Sequence, residues 1–75
     1  MAETLQEHVA QEIRAELARQ RRSGAWLARE LGVSEAWVSH RLSGKQITVA
    51  DVERLAGVLG VSASQFFPVA AERVA

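Results

Sequence analysis

The tetrapeptide Leu-Gly-Val-Ser occurs twice in this 75-residue chain, at residues 31–34 and 59–62. In each copy a glycine follows an apolar, helix-like pattern, and glycine ends helices because it adopts the left-handed conformation without strain. The serine two residues later can accept the free backbone N–H groups of a new helix. Each copy therefore predicts a helix end, a short turn plugged by valine, and a helix start.

Capping patterns define the other helix boundaries. The pairs Thr4–Glu7 and Thr48–Asp51 have the spacing of a capping box, and Ser62 with Gln65 resembles a further capping pair. Apolar residues recur at helical spacing between these signals. The predicted helices cover about residues 5–21, Ser23 to Gly32, Ser34 to Leu42 with Gly44 as a stop, Thr48 to Gly60, and a short last helix from Ser62.

Length and composition restrict the fold to one small domain over residues 1–75, with 48% hydrophobic residues and no cysteine. The two histidines are far apart, so we expect no metal site and no cofactor. No nucleophile elbow or glycine-rich phosphate loop is present, and an enzyme is not expected. No apolar run approaches about 20 residues, which favours a cytoplasmic protein that does not bind membranes.

Charge is distributed unevenly along the chain, although the formal net charge is zero. Residues 1–18 carry a balance of −3, residues 19–45 a balance of +4, and residues 46–75 a balance of −1. The middle segment is therefore the electropositive part of the chain, where an anionic partner would bind.

The third predicted helix has a narrow apolar face. In the segment "EAWVSHRLSGKQ" only Val38 and Leu42 share an obvious apolar side. The remaining residues offer hydrogen-bonding groups and a cation, which protein cores disfavour. Two short helices joined by a glycine turn, the second with polar side chains, form the arrangement that places a helix in the DNA major groove.

Residues 23–46, "SGAWLARELGVSEAWVSHRLSGKQ", resemble the helix-turn-helix of the Cro/Xre (lambda-repressor-like) family. Ala28, Gly32 and Val38 stand at the spacings of that family, and "TVADVERLAGVLGVSASQFF" resembles its fourth and fifth helices. The resemblance covers about residues 13–67. It implies an all-α, compact five-helix domain with the helix-turn-helix at helices 2 and 3, followed by a short tail at 68–75.

The resemblance also implies two sets of DNA-binding residues. Base contacts would come from Glu35, Ala36, Trp37, Ser39 and His40. Phosphate contacts would come from Ser23, Gly24, Arg41, Ser43, Gly44, Lys45 and Gln46. The chain departs from the family at two of these positions: Gly24 replaces a frequent glutamine, and Arg41 stands where an apolar residue is usual.

Simpler explanations exist for several of these side chains. Trp37 and Arg41 are four residues apart and could stack as a cation–π pair instead of contacting DNA. Trp26 could pack against the first helix or donate its indole N–H to a phosphate, and His40 could be a plain surface residue.

The charged residues of the first helix have simple explanations as well. Glu12 and Glu16 are expected to face solvent. Arg19, Arg21 and Arg22 could form a solvated helix end or contact flanking phosphates.

The functional hypothesis from sequence is a sequence-specific double-stranded DNA-binding regulator, specifically a prokaryotic or phage transcriptional repressor located at the nucleoid. No small-molecule ligand is indicated. The alternative is a protein-interaction module of the same fold, such as an antitoxin. The apolar tail predicts a homodimer through Val69, Ala70, Val74 and Ala75, since so short a segment cannot bury these groups alone.

Overall fold

A computed structural model describes residues 3–68 of the chain. The elements in chain order are α1 (Leu5–Arg19), α2 (Gly24–Leu31), α3 (Glu35–Arg41), α4 (Val49–Leu59) and a 3₁₀ helix (Ala63–Phe66). All regular elements of residues 3–68 are helical, which confirms the all-α class. The tail residues Val69, Ala70, Val74 and Ala75 lie outside the described part of the chain.

The prediction of a fifth α-helix is wrong, because Ala63–Phe66 forms only a single 3₁₀ turn. Phe67 leaves the turn in an extended conformation, with φ −96° and ψ 150°. Pro68 follows it, and the residue before a proline is disfavoured in the α region by steric contact with the proline ring. The chain therefore has four α-helices within residues 3–68.

The other helix boundaries follow the capping signals of the sequence. Both capping boxes form with reciprocal hydrogen bonds, and Ser23 and Ser34 accept backbone N–H groups at the starts of α2 and α3. Gly32 and Gly60 are left-handed caps, with φ of 72° and 74°. Both Leu-Gly-Val-Ser copies therefore have the same local structure.

α1 is shorter than predicted and ends at Arg19 instead of about residue 21. Arg21 takes a left-handed conformation with φ 56°. The Arg21 N–H donates to the Ala18 carbonyl, and the Arg22 N–H donates to the Leu17 carbonyl at 2.9 Å. This pair of bonds is the Schellman arrangement, which closes a helix even where the left-handed residue is not glycine.

Glu16 and Gln65 do not behave as the sequence suggested. Glu16 is buried, with 8% of its surface exposed, and Glu12 is partly buried. Gln65 does not cap the last turn, because its side chain donates to Glu16 Oε1 at 2.6 Å. Hydrogen bonds from Gln20 and Arg19 lower the pKa of the Glu16 carboxyl group. This cluster joins the end of α1 to the 3₁₀ turn.

The core lies between α1, α2, α4 and the 3₁₀ turn, and Phe66 is fully buried in it. Ile13 and Leu27 are also fully buried, whereas the segment of α3 and its cap contributes only Val38 and Leu42. α3 therefore leaves most of its surface exposed. None of the helices within residues 3–68 is both long and apolar enough to cross a membrane.

Candidate nucleic-acid interface

The turn between α2 and α3 fixes the orientation of α3. Gly32 ends α2, the Val33 N–H donates to the Ala28 carbonyl at 3.0 Å, and the Ser34 side chain accepts the Trp37 N–H at 3.0 Å. Ala28 and Val38 are buried in the common core. Because α3 is seated on α2 through this one apolar face, its opposite face projects outward.

The predicted base-contact residues divide into two groups in the structure. Glu35, Ala36, Ser39 and His40 are exposed on α3. Trp37 is only partly exposed, because it packs against the core. Four of the five residues are therefore accessible to a ligand that lies along α3.

A wide open groove of about 880 Å³ runs between the start of α2 and α3. Six of the predicted DNA-contact residues line it together: Ser23, Gly24, Glu35, Ala36, Ser39 and Ser43. We call this surface the reading groove. It brings predicted base contacts from α3 beside predicted phosphate contacts from the start of α2 and the end of α3.

The loop at residues 43–46 is bound to α3 by polar contacts. His40 Nε2 lies 3.0 Å from Gln46 Oε1, and the Ser43 hydroxyl donates to the His40 carbonyl at 2.5 Å. The N–H groups of Ser43 and Gly44 donate to the His40 and Arg41 carbonyls. Within residues 3–68 these two amides are thus engaged in the turn, whereas the Lys45 side chain is exposed.

Gly44 is buried against the first turn of α1. Its φ is 83°, and a Cβ at this position would lie 2.9 Å from the Glu7 Cα atom. A glycine is therefore needed here both for the backbone conformation and for the close approach of two backbone segments.

The cation–π pair anticipated as an alternative for Trp37 is present. The Arg41 guanidinium carbon lies 4.9 Å from the centre of the Trp37 ring, and that of Arg54 lies 5.9 Å away. Arg41 also donates to the Gln46 carbonyl and approaches Asp51 Oδ2 at 3.5 Å. The guanidinium group of Arg41 therefore has several partners within the chain.

Arg14 also lines the reading groove, although it was not among the predicted DNA-contact residues. Its guanidinium group donates to the Leu42 carbonyl at the end of α3. A signal was available, because Arg14 is the sole arginine or lysine among positions 1–18. Its position next to the buried Ile13 did not indicate which later element it would meet.

Trp26 is partly buried and packs against the core. The guanidinium carbon of Arg22 lies 4.5 Å from the centre of its ring. No group of three His, Cys, Asp or Glu side chains within residues 3–68 could hold a metal ion.

The family profile described as a helix-turn-helix domain matches residues 8–66. The hypothetical transcription factor NHTF from Neisseria is similar in structure, with a TM-score of 0.78 and 28% sequence identity over 99% of this chain and 92% of that chain. The iron(II) form of HppE is similar with a TM-score of 0.77 and 25% identity, over 87% of this chain and 35% of that chain. No curated protein matches this chain.

Proposed function

This chain belongs to the helix-turn-helix domain family, and from that premise we propose that it is a transcription regulator that reads double-stranded DNA with α3. More specifically, we propose a prokaryotic or phage repressor of the Cro/Xre type. The observation that carries the proposal is the exposed polar face of α3 beside the start of α2, in one open groove. A helix so placed fits the major groove.

The exposed residues of α3 have the chemistry for base recognition. The Glu35 carboxylate can accept a hydrogen bond from a cytosine amino group, and the His40 ring can bind a guanine edge. Ala36 and Ser39 allow close approach, and Ala36 can contact a thymine methyl group. These side chains determine the sequence preference in the proposal. Trp37 is partly buried and holds α3 against the core.

Phosphate contacts fix the register of α3 on DNA without reading sequence. In the proposal, Lys45 supplies a positive charge from the loop, with Ser43 and Gln46 beside it. Gly44 is buried and its N–H is engaged in the turn, so it shapes the loop instead of binding the phosphate. Ser23 and Gly24 flank the other side of the reading groove. This places phosphate-binding groups on both sides of the base-reading residues.

The test is selection from a pool of random DNA duplexes, followed by titration of the enriched sequence and a scrambled control at two salt concentrations. The proposal expects an enriched motif and an affinity that falls as salt rises. An absence of enrichment, together with salt-independent retention, would contradict it. A protein partner that co-purifies with a DNA-inactive chain would instead support the antitoxin alternative.

We also propose a homodimer, with its interface on a second surface of the domain. Leu5 and Val49 are 56% and 63% exposed. They flank an apolar groove of about 270 Å³ that includes Val9, Val52 and Phe67 and shares no lining residue with the reading groove. Protruding and recessed apolar groups within one patch are what a twofold contact between identical copies requires.

Sedimentation of Leu5→Glu and Val49→Glu tests this dimer, with Ala18→Glu as a control on the exposed side of α1. We expect both test variants to be monomers and the control to remain a dimer. If the dimer survives both changes but not truncation after Phe67, the interface lies in the tail, as the sequence suggested.

A further inference from the structure

The side chain of Arg41 lies between three parts of the domain. It extends from the last turn of α3, its guanidinium group stands over the Trp37 ring, and one nitrogen donates to the Gln46 carbonyl. The same nitrogen lies 3.5 Å from Asp51 Oδ2 in the first turn of α4. Arg41 therefore connects α3, the loop at residues 43–46 and α4.

Asp51 is a fixed and mostly buried partner. Its side chain is 13% exposed, and Oδ2 also accepts the Thr48 N–H at 3.1 Å as part of the capping box of α4. A mostly buried carboxylate that lost its cation would be left with an uncompensated charge. Withdrawing Arg41 from Asp51 toward DNA would therefore be unfavourable.

The limited exposure of Arg41 also disfavours a phosphate contact. Its side chain is 25% exposed, and Nε is buried without a hydrogen-bond acceptor among residues 3–68. A phosphate cannot reach Nε unless the side chain leaves its site on Trp37. Nε is thus buried and Nη1 is engaged by the Gln46 carbonyl, so no pair of adjacent guanidinium nitrogens is free for two-point binding of a phosphate.

The position of α3 depends strongly on such a contact because its apolar anchors are few. Only Val38 and the cap residue Leu42 are buried in this segment. Both belong to the common core and Trp37 packs against it while partly exposed, so the polar contacts of Arg41 add to a small apolar anchor. A change of about 1 Å in the position of a binding element is enough to disturb hydrogen bonds to bases.

We propose that Arg41 is a positioning residue that fixes the reading helix and the 43–46 loop on α4 and makes no phosphate contact. The proposal rests on the DNA-binding function proposed above and assigns Arg41 a role other than the phosphate contact that the family resemblance implies. Sequence preference then depends on Arg41 through Glu35 and His40, although Arg41 does not touch the bases.

The DNA test compares Arg41→Met with Lys45→Met on the selected duplex and a scrambled duplex over a range of salt concentrations. For Arg41→Met we expect an unchanged salt slope and a preference for the selected duplex that is about tenfold lower. For Lys45→Met we expect a slope lower by about one and an unchanged preference. An Arg41→Met variant with a lower slope and intact preference would overturn the proposal.

Hydrogen exchange in the free protein separates this proposal from the DNA-binding function. The N–H groups of Leu42, Ser43 and Gly44 are bonded at the end of α3, and we expect them to exchange about tenfold faster in Arg41→Met than in Lys45→Met. Amides in the middle of α1 should be unaffected. Equal exchange at residues 42–44 in both variants would overturn the positioning role, whether or not the protein binds DNA.

Asp51→Asn provides a second variant if Arg41→Met does not fold. The amide oxygen can still accept the Thr48 N–H, but the charge that pairs with Arg41 is removed. We expect faster exchange at residues 42–44, reduced preference and an unchanged salt slope. A higher salt slope would show that the released Arg41 binds a phosphate. Unchanged exchange would show that the contact with Asp51 does not hold the end of α3. Either result would contradict the proposal.

Discussion

Three glycines with positive φ allow a quantitative test of the fold. Gly32, Gly44 and Gly60 have φ of 72°, 83° and 74°. A Cβ at Gly32 or Gly60 would meet nothing within 4 Å, whereas at Gly44 it would lie 2.9 Å from the Glu7 Cα atom. Substitution by alanine therefore measures backbone strain alone at two sites, and strain together with a backbone collision at the third.

The left-handed conformation costs a non-glycine residue about 1 to 2 kcal/mol. We expect Gly32→Ala and Gly60→Ala to lose this amount, which corresponds to a fall in Tm of about 4 to 8 °C for each kcal/mol. Overpacking adds about 1 to 3 kcal/mol. Gly44→Ala should therefore lose about 2 to 5 kcal/mol, a large part of the stability of a domain of this size.

Thermal melts followed by circular dichroism provide the measurement, and Gly57→Ala is the matched control. Gly57 lies inside α4 in the ordinary helical conformation, with no atom near a new Cβ. Alanine there should raise stability by about 0.5 to 1 kcal/mol, because glycine is unfavourable within helices. Equal Tm values for Gly44→Ala and Gly32→Ala would refute the close contact between the 43–46 loop and α1.

Two further predictions concern charged side chains of α1. Hydrogen bonds lower the pKa of Glu16 below its ordinary value of 4.5, so its contribution to stability is present above that pH and is lost as the pH falls below it. Urea unfolding should show that Glu16→Gln is less stable at neutral pH and has a flatter dependence on pH below 4.5, and parallel curves would contradict this. Arg14, which is exposed in the reading groove, should contact a phosphate, so that Arg14→Met lowers the salt slope of DNA binding by about one; an unchanged slope would limit Arg14 to its bond with Leu42.

Most of the fold could be predicted from local signals. The two Leu-Gly-Val-Ser copies and the capping boxes depend on interactions within a few residues, so the sequence reports them directly. The exception lies near the end of the described chain, where Phe67 precedes Pro68. Its cause is also local, but the apparent capping pair of Ser62 and Gln65 predicted a helix instead. A 3₁₀ turn replaces the predicted helix there.

Side chains that act across long sequence separations were harder to predict. Gln65 bonds to Glu16, 49 residues earlier, and Arg14 bonds to the Leu42 carbonyl. Periodicity places such residues on a helix face but does not say which later element lies opposite. The predicted cation–π alternative for Trp37 and Arg41 was accessible because the two are one helical turn apart.

The sequence predicted where the candidate site lies, but it did not predict the contacts that its side chains make within the chain. The exposed face of α3 follows from its narrow apolar stripe, and the reading groove collects six of the predicted residues. The intrachain partners of Arg41 and the burial of Gly44 depend on how α1 and α4 pack around the loop. Those contacts require the three-dimensional structure.

The most direct test of the central claim is a binding titration against every single-base variant of the selected duplex. It compares the wild-type protein with Glu35→Ala, His40→Ala and Lys45→Ala, and includes Ser64→Ala near the second Leu-Gly-Val-Ser copy as a control. We expect Glu35→Ala and His40→Ala each to lose about 1 to 3 kcal/mol of discrimination at particular base pairs. Lys45→Ala should weaken binding to all duplexes about equally, and Ser64→Ala should change neither. A base-preference profile identical to that of the wild type in both Glu35→Ala and His40→Ala would contradict the claim that this face of α3 reads DNA.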